Sequence, residues 1–529
     1  MADPNDPHLP SDTPLEVQRY ALRGGRTPSF DPTLGQQVNL RGKGRPPHRL
    51  VAIGDSLTHG FQSGAVFQTD LAYPAIIAHE LGWDGYRFPE YPGRGGIPLN
   101  IELVLRDLEH RYGAGINAWE SPLALFRVRS LMDEIEDYWE RGPGSASPTR
   151  SQPFLHALAV YGWDLRDALE RTATSCAALI GTASDDVIHQ AVEHGGERAA
   201  LRVYPHTPET ADMTLFDVAA ALGRDHDEDT EAGIETLIVM LGSNNALQTV
   251  TKLQVSWSGA DYADAARKGA YTIWCPDHFE RELSLVVDRV RAIGARHVIW
   301  GTIPHVTIPP ISRGLGSKSA IGSRYFPYYS RPWIDSARFD PQLHPHLTGE
   351  QARAVDYAVD MFNDVIQTVV ARGRAADLDW YLFDMSGLLD RLAARRYIDD
   401  PNARPAWWTP YPTPPDLARL APKVDSRFLT GDGRGGRATG GLFSLDGVHP
   451  TTVGYGIIAQ ELVNIMRTAG VQFHRPDGSE RSDPLTVDFN RLLQRDTLLT
   501  HPPQNVTSSL DVLAWADTTV SIVKKALQF

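Results

Sequence analysis

The sequence predicts an α/β fold in which helices cover a parallel sheet on both faces. Two observations carry this reading. Short apolar runs of strand type recur along the chain, and amphipathic helical patterns lie between them. Strands alternating with helices build parallel sheets, and parallel sheets are buried on both sides.

In order, residues 1–46 are rich in Pro, Gly and Asp and read as an extended N-terminal arm ending in Gly42-Lys43-Gly44-Arg45-Pro46-Pro47. The first strand is Arg49-Leu50-Val51-Ala52-Ile53, followed by Gly54-Asp55-Ser56-Leu57 and a helical pattern over 74–81. Further strands are expected at 154–160, 236–241, 297–303 and 380–383. Between the third and fourth runs, Leu283, Val286, Val287, Val290 and Ile293 mark one helical face, and Gly294 supplies the stop. Ala352, Val355, Val359, Phe362, Ile366 and Val369 mark the next helix. Val453, Ile457, Ile458, Leu462 and Ile465 mark a closing one. The connecting segments near 83–153, 182–233, 304–348 and 387–441 are long and show no repeat. Within the last, the Gly-rich stretch 431–441 lacks the Gly-Lys-Ser/Thr ending of a phosphate loop and reads as a flexible connector.

Composition narrows the class. The chain has 529 residues, 42% hydrophobic and 22% charged, close to the globular average, which excludes disorder and collagen. Lys and Arg total 51 against 65 Asp and Glu, and the net charge of −14 repels nucleic acid and anionic membranes. Two cysteines, Cys176 and Cys275, argue against a disulfide framework. No apolar stretch reaches transmembrane length and the N-terminus has no apolar leader, so the expectation is a soluble, cytoplasmic enzyme. Asn505-Val506-Thr507 matches a glycosylation acceptor and is read as chance.

The strongest local signal is Gly54-Asp55-Ser56-Leu57-Thr58-His59-Gly60, directly after a strand and before a helix. A serine there lies at the carboxyl edge of the sheet, where open α/β sheets bind ligands. A serine nucleophile needs a base, and the base needs an orienting carboxylate. Asp446-Gly447-Val448-His449 supplies both. The same spacing occurs at Asp107/His110 and Asp186/His189, but Asp107/His110 falls in a helix-like stretch and Asp186/His189 heads toward the opposite edge. Asp446/His449, between the last strand and the closing helix, shares the edge of Ser56. Acyl transfer also needs donors for an oxyanion. Gly242-Ser243-Asn244-Asn245 follows the third strand and Gly162 closes the second. Asn244 offers a side-chain N–H, and Gly162 and Ser56 their backbone N–H groups.

With these four ordered motifs, the chain over about 50–467 closely resembles the SGNH, or GDSL, hydrolase family. The resemblance implies a flavodoxin-like three-layer α/β/α fold and ester hydrolysis without metal or other cofactor. It makes Ser56 the nucleophile, His449 the base and then acid, and Asp446 its orienter. It draws the oxyanion hole from Ser56, Gly162 and Asn244, with Gly54, Asp55 and Asn245 in support. One position departs: the family usually has Asp where this chain has Asn245. Either Asn245 keeps the same hydrogen bonds as an acceptor, or the hole is looser.

The length alone divides into three or four average domains. The motif order instead implies one hydrolase domain, 47–467, enlarged by insertions and followed by a C-terminal extension, 468–529, in which 510–529 reads as a docking helix. The expected substrate is a small-molecule ester, a lipid or an acetylated glycan. The alternatives are acyl transfer on the same triad, or a binding scaffold with a vestigial site. Asp225-His-Asp227-Glu-Asp229 has the start of a calcium loop but lacks its Gly and final Glu, and reads as a solvated acidic turn. His305, His344 and His346 fit no strong metal spacing. The aromatic stretches 325–333 and 407–411 follow the fourth and fifth strands, where they either line the active-site edge or form small cores of their own. The insertion at 83–153 is expected to leave from the opposite edge.

Overall fold

The structure is a computed structural model that describes residues 8–39, 44–117, 119–146, 153–181, 192–318, 320–334, 336–475, 477–482 and 484–506. Five strands form its central sheet: β1 (His48–Gly54), β2 (Ala157–Ala159), β3 (Ile234–Met240), β4 (His297–Gly301) and β5 (Trp380–Phe383). All pair in parallel, in the order β2-β1-β3-β4-β5. That is the flavodoxin-like order, in which connections reverse direction between β1 and β3 and ligands bind at the carboxyl ends there.

Alternate side chains of each strand go to opposite faces. Val51, Ile53, Leu237, Val239, Val298 and Trp300 join one apolar cluster with helices Leu215–Gly223, Pro276–Ile293 and Gly349–Ala375. Leu50, Ala52, Ile238, Met240, Ile299 and Tyr381 join the other, with helices Tyr73–Glu80, Met385–Leu392 and Thr452–Thr468. Each fully buried aliphatic side chain contributes about 1.5–3 kcal/mol relative to exposure. The helical faces read from the sequence are therefore the ones that hold the layers together.

Two strands are shorter than their apolar runs, for local reasons. The His156 and Ala157 N–H groups both donate to the Arg87 carbonyl, so β2 covers only the middle of 154–160. β4 stops before Ile303, whose N–H donates to Asn363 Oδ1 at 2.7 Å. The N-terminal arm is not wholly extended. It contains the helix Leu15–Ala21, whose Val17 is buried in the first cluster. Beyond it, the Pro32 carbonyl accepts from Leu382 N–H at 2.9 Å, so the arm covers the edge strand β5.

The insertion 83–153 does wrap around to the carboxyl edge. Its strand Ile97–Pro98 pairs with Ala65–Val66, which pairs with Phe61–Gln62 just after the Gly-Asp-Ser-Leu block. Its helices Ile101–Tyr112 and Ser121–Glu140 bury Leu105, Leu131 and Trp139 against Phe61, Tyr161 and Leu445. The Gly-rich stretch is also more ordered than a connector, because Thr430–Gly431 and Arg437–Thr439 form an antiparallel pair. The stretch 510–529 and the pair Asp186/His189 lie outside the described residues. Among the described residues no helix is long and apolar enough to cross a membrane.

Candidate active site

β1 ends at Gly54, and four residues of helix, Ser56–His59, begin at once. Asp55 caps that helix by accepting from Leu57 N–H at 3.1 Å. The turn requires glycine at 54, because a Cβ there would overlap Thr58 Oγ1 and the Met240 carbonyl oxygen. Ser56 is thereby fixed at the first position of the helix, 3% exposed.

The Asp446–His449 turn comes to the same place from the far end of the chain. His449 Nε2 lies 2.9 Å from Ser56 Oγ, and His449 Nδ1 lies 3.1 Å from Asp446 Oδ2. Asp446 accepts further from the N–H groups of Val448 and His449, both at 2.8 Å, and from Gly64 N–H at 3.0 Å. Burial works to raise the Asp446 pKa, but His449 and these donors outweigh it and hold the carboxyl below its ordinary value. Asp446 therefore stays anionic and favours the tautomer with a proton on Nδ1, in which Nε2 is the acceptor facing Ser56 Oγ. Asp55 differs: burial pushes it up to about 6, and Leu57 N–H and His449 offset this only in part.

The two remaining blocks are tied to each other. Gly242 turns the chain at φ 116°, and helix Asn244–Lys252 starts two residues later. Asn244 Nδ2 donates to the Trp163 carbonyl at 2.8 Å, which fixes the amide and commits one of its two hydrogens. Gly162, at φ 81°, precedes that tryptophan, and Lys268 Nζ reaches its carbonyl oxygen at 3.3 Å while pairing with Asp164 and Asp167. Asn245 is fully buried, and neither side-chain polar atom has a partner among the described residues.

No protein-family model, curated protein or solved structure matches this chain.

A cavity of about 90 Å³ opens beside Ser56 and His449. Its walls are apolar and mostly aliphatic, with Phe443 among them: Leu57 and Leu247 from the motif helices, Val306 and Pro309 after β4, Leu388 and Leu392 after β5, and Ile457 from the closing helix. The aromatic residues of 325–333 and 407–411 do not line it. Trp408 packs with Ala393, Tyr397 and Ala403 in a core of their own, and Phe326 and Tyr329 line a second cavity.

Several contributors had no motif to announce them. His59 Nδ1 accepts from Tyr161 N–H at 3.2 Å, and its Nε2 lies 2.7 Å from Tyr91 Oη, on the insertion. Burial pushes His59 down to about 3, so it is a neutral spacer beside Gly162. The one sequence signal was His59 itself, inside the Gly-Asp-Ser-Leu block; Lys268, Gly64 and Tyr91 gave none.

The other sequence candidates fall elsewhere. Asp107 sits on helix Ile101–Tyr112 and pairs with Arg127 and Arg111. His305 is clamped between Asp360 and Asp390, away from His344 and His346, which lie in a surface loop against Phe339. Asp227 accepts from the Asp229 and Thr230 N–H groups in an exposed turn. Among the described residues no three His, Cys, Asp or Glu side chains gather in a metal-ligating group. Cys176 and Cys275 are both free. Asn505 is buried and donates to the Leu105 carbonyl at 2.9 Å, so its side chain is not offered to a glycan.

Proposed function

We propose that this chain is a serine ester hydrolase of the SGNH type, acting through an acyl-enzyme on esters with an apolar acyl group. The observation that carries the proposal is Ser56 Oγ at 2.9 Å from His449 Nε2, at the wall of an aliphatic cavity. In this reading His449 Nε2 takes the hydroxyl proton as Ser56 Oγ attacks the ester carbonyl. The developing oxyanion is met by the N–H groups of Ser56 and Gly162 and by the second amide hydrogen of Asn244. His449 returns its proton to the departing alcohol, and water activated by the same imidazole then releases the acid. Asp446 holds the imidazole and balances its charge in both halves.

The aliphatic lining favours an apolar acid over acetate. Each methylene buried contributes about 0.8 kcal/mol, or roughly fourfold in kcat/KM, until the cavity is full. A graded series of aryl esters from acetate upward should show that rise, with acetylated glycans poor substrates. Ser56→Ala and His449→Ala should each abolish turnover and labelling by a fluorophosphonate. Wild-type activity in both variants would end the assignment.

A further inference from the structure

A second cavity, of about 320 Å³, backs onto the first. Two stretches of chain wall both. Pro304, Val306 and Pro309 face the aliphatic cavity, while Thr307, Ile308 and Pro310 face the second. Likewise Leu392 ends the aliphatic wall and Ala393 begins the other. The triad turn touches this boundary, since the Gly447 carbonyl accepts from Ile311 N–H at 2.9 Å.

The second cavity is cationic in a chain whose net charge is −14. Arg313, Arg324, Arg395, Arg396 and Arg427 line it, and among the described lining residues Asp399 alone carries a carboxylate. Asp399 is committed to Arg427, and Arg396 is paired with Asp356 and Asp390. Arg395 has no carboxylate at ion-pair distance among the described residues; nor has Arg324, but burial of Arg324 is outweighed by Tyr325, Tyr397, Asp356 and Asp360, which raise its pKa. Arg395 donates to the Gly314 carbonyl at 2.7 Å and lies over the Phe326 ring. Arg324 donates to Tyr325 Oη at 3.0 Å. Ser312, 2% exposed and also lining the cavity, has a hydroxyl with no partner among the described residues. Burial and the neighbouring Arg313 and Arg427 lower the Arg395 pKa, and Tyr329 and Asp399 offset this only in part.

We propose that this cavity receives a phosphate group carried by the substrate, so that the preferred ester joins an apolar acid to a phosphorylated alcohol. The inference rests on the hydrolase reading and extends it: the acyl chain occupies the aliphatic cavity and the alcohol's phosphate the arginine-lined one. Guanidinium forks match phosphate oxygens in pairs, and a buried serine hydroxyl adds a donor. The cluster of guanidinium groups suits the compact, doubly charged phosphate of a small alcohol.

The test compares butyrylglycerol with butyrylglycerol 3-phosphate on the full chain. The expected KM is at least tenfold lower for the phosphate ester, the worth of one to two charge-assisted hydrogen bonds. Arg395→Gln should collapse that ratio toward one. Equal KM values for the two esters in wild type, with both turned over, overturn this inference and leave the hydrolase reading standing. A succinate monoester of glycerol preferred as strongly as the phosphate ester would overturn the phosphate assignment. If neither butyryl ester is turned over, the hydrolase reading fails. Calorimetric titration of wild type with glycerol 3-phosphate then decides the cavity alone, and no heat of binding overturns it. The lauroyl phosphate ester in mixed micelles separates the sources. Preference for it over the butyryl monomer identifies a lipid headgroup, the reverse a soluble metabolite, and both support the phosphate site.

Discussion

Asn245 is where the residue scale has most to say. Its side chain is fully buried without a hydrogen-bond partner among the described residues, at a cost of about 1–3 kcal/mol. The first of the two readings of this position, an acceptor replacing the carboxylate, is not what the structure has. Its loop is held by backbone instead, Asn245 N–H to the Gly242 carbonyl at 3.1 Å and Trp274 N–H to the Asn245 carbonyl at 2.9 Å. Placing an acid at this position should therefore hurt. In Asn245→Asp the carboxyl meets no donor, so burial raises its pKa above the unfolded value. The folded state then binds the extra proton, and stability relative to wild type falls as pH rises from about 4 through the raised pKa. Melting temperatures at pH 5 and pH 8 should show the variant further below wild type at pH 8. A gap that is equal at both pH values, or narrower at pH 8, would mean that a donor does reach position 245.

At the scale of elements, the short β2-β1-β3 core was legible because a strand buried on both faces leaves a continuous apolar run, and its carboxyl end places whatever follows. Ser56, Gly162 and Asn244 each follow a strand directly, so their edge could be read from order alone. The insertions were not legible in that way. Their cores depend on contacts across hundreds of residues, such as Trp139 and Leu105 with Leu445, and no local period encodes such a meeting. The 83–153 insertion consequently looked remote, yet its Tyr91 sits between His59 and the Ala199 carbonyl, which Tyr91 Oη reaches at 2.9 Å. Tyr91→Phe strands both partners and should cost about 1–3 kcal/mol in a urea titration. Because His59 braces Tyr161 N–H, next to Gly162, kcat on an aryl ester should fall several-fold with KM little changed. A KM effect with intact kcat would place Tyr91 in substrate binding instead.

Across the whole molecule, a buried ionic network joins parts that the sequence presents as separate. Arg26 of the N-terminal arm pairs with Asp384 after β5, and the Arg26 N–H donates to Asp360 of helix Gly349–Ala375 at 3.1 Å. Asp360 accepts His305 at 3.0 Å, His305 faces Asp390, and Arg396 links Asp390 to Asp356. Both cavities abut these residues, since Arg396 lines one and Pro304 and Val306 the other. Between Asp360 and Asp390 the imidazolium form of His305 is the cation that balances the carboxylates. Burial lowers the His305 pKa, but Asp356, Asp390 and Asp360 outweigh it and hold it up at about 10. A raised histidine pKa stabilises the fold fully below the unfolded value near 6.5, and that contribution is lost as pH rises through about 10. Wild type should therefore lose stability between pH 7 and pH 10. In His305→Gln the network already lacks that charge, so the variant should melt lower at pH 6 while its slope above pH 7 shrinks. Measuring the unfolding free energy of both proteins at pH 6, 8 and 10 separates the two effects. Parallel curves would show that His305 keeps one protonation state in folded and unfolded chains alike, and would remove it as the charge that holds arm, helix and insertions together.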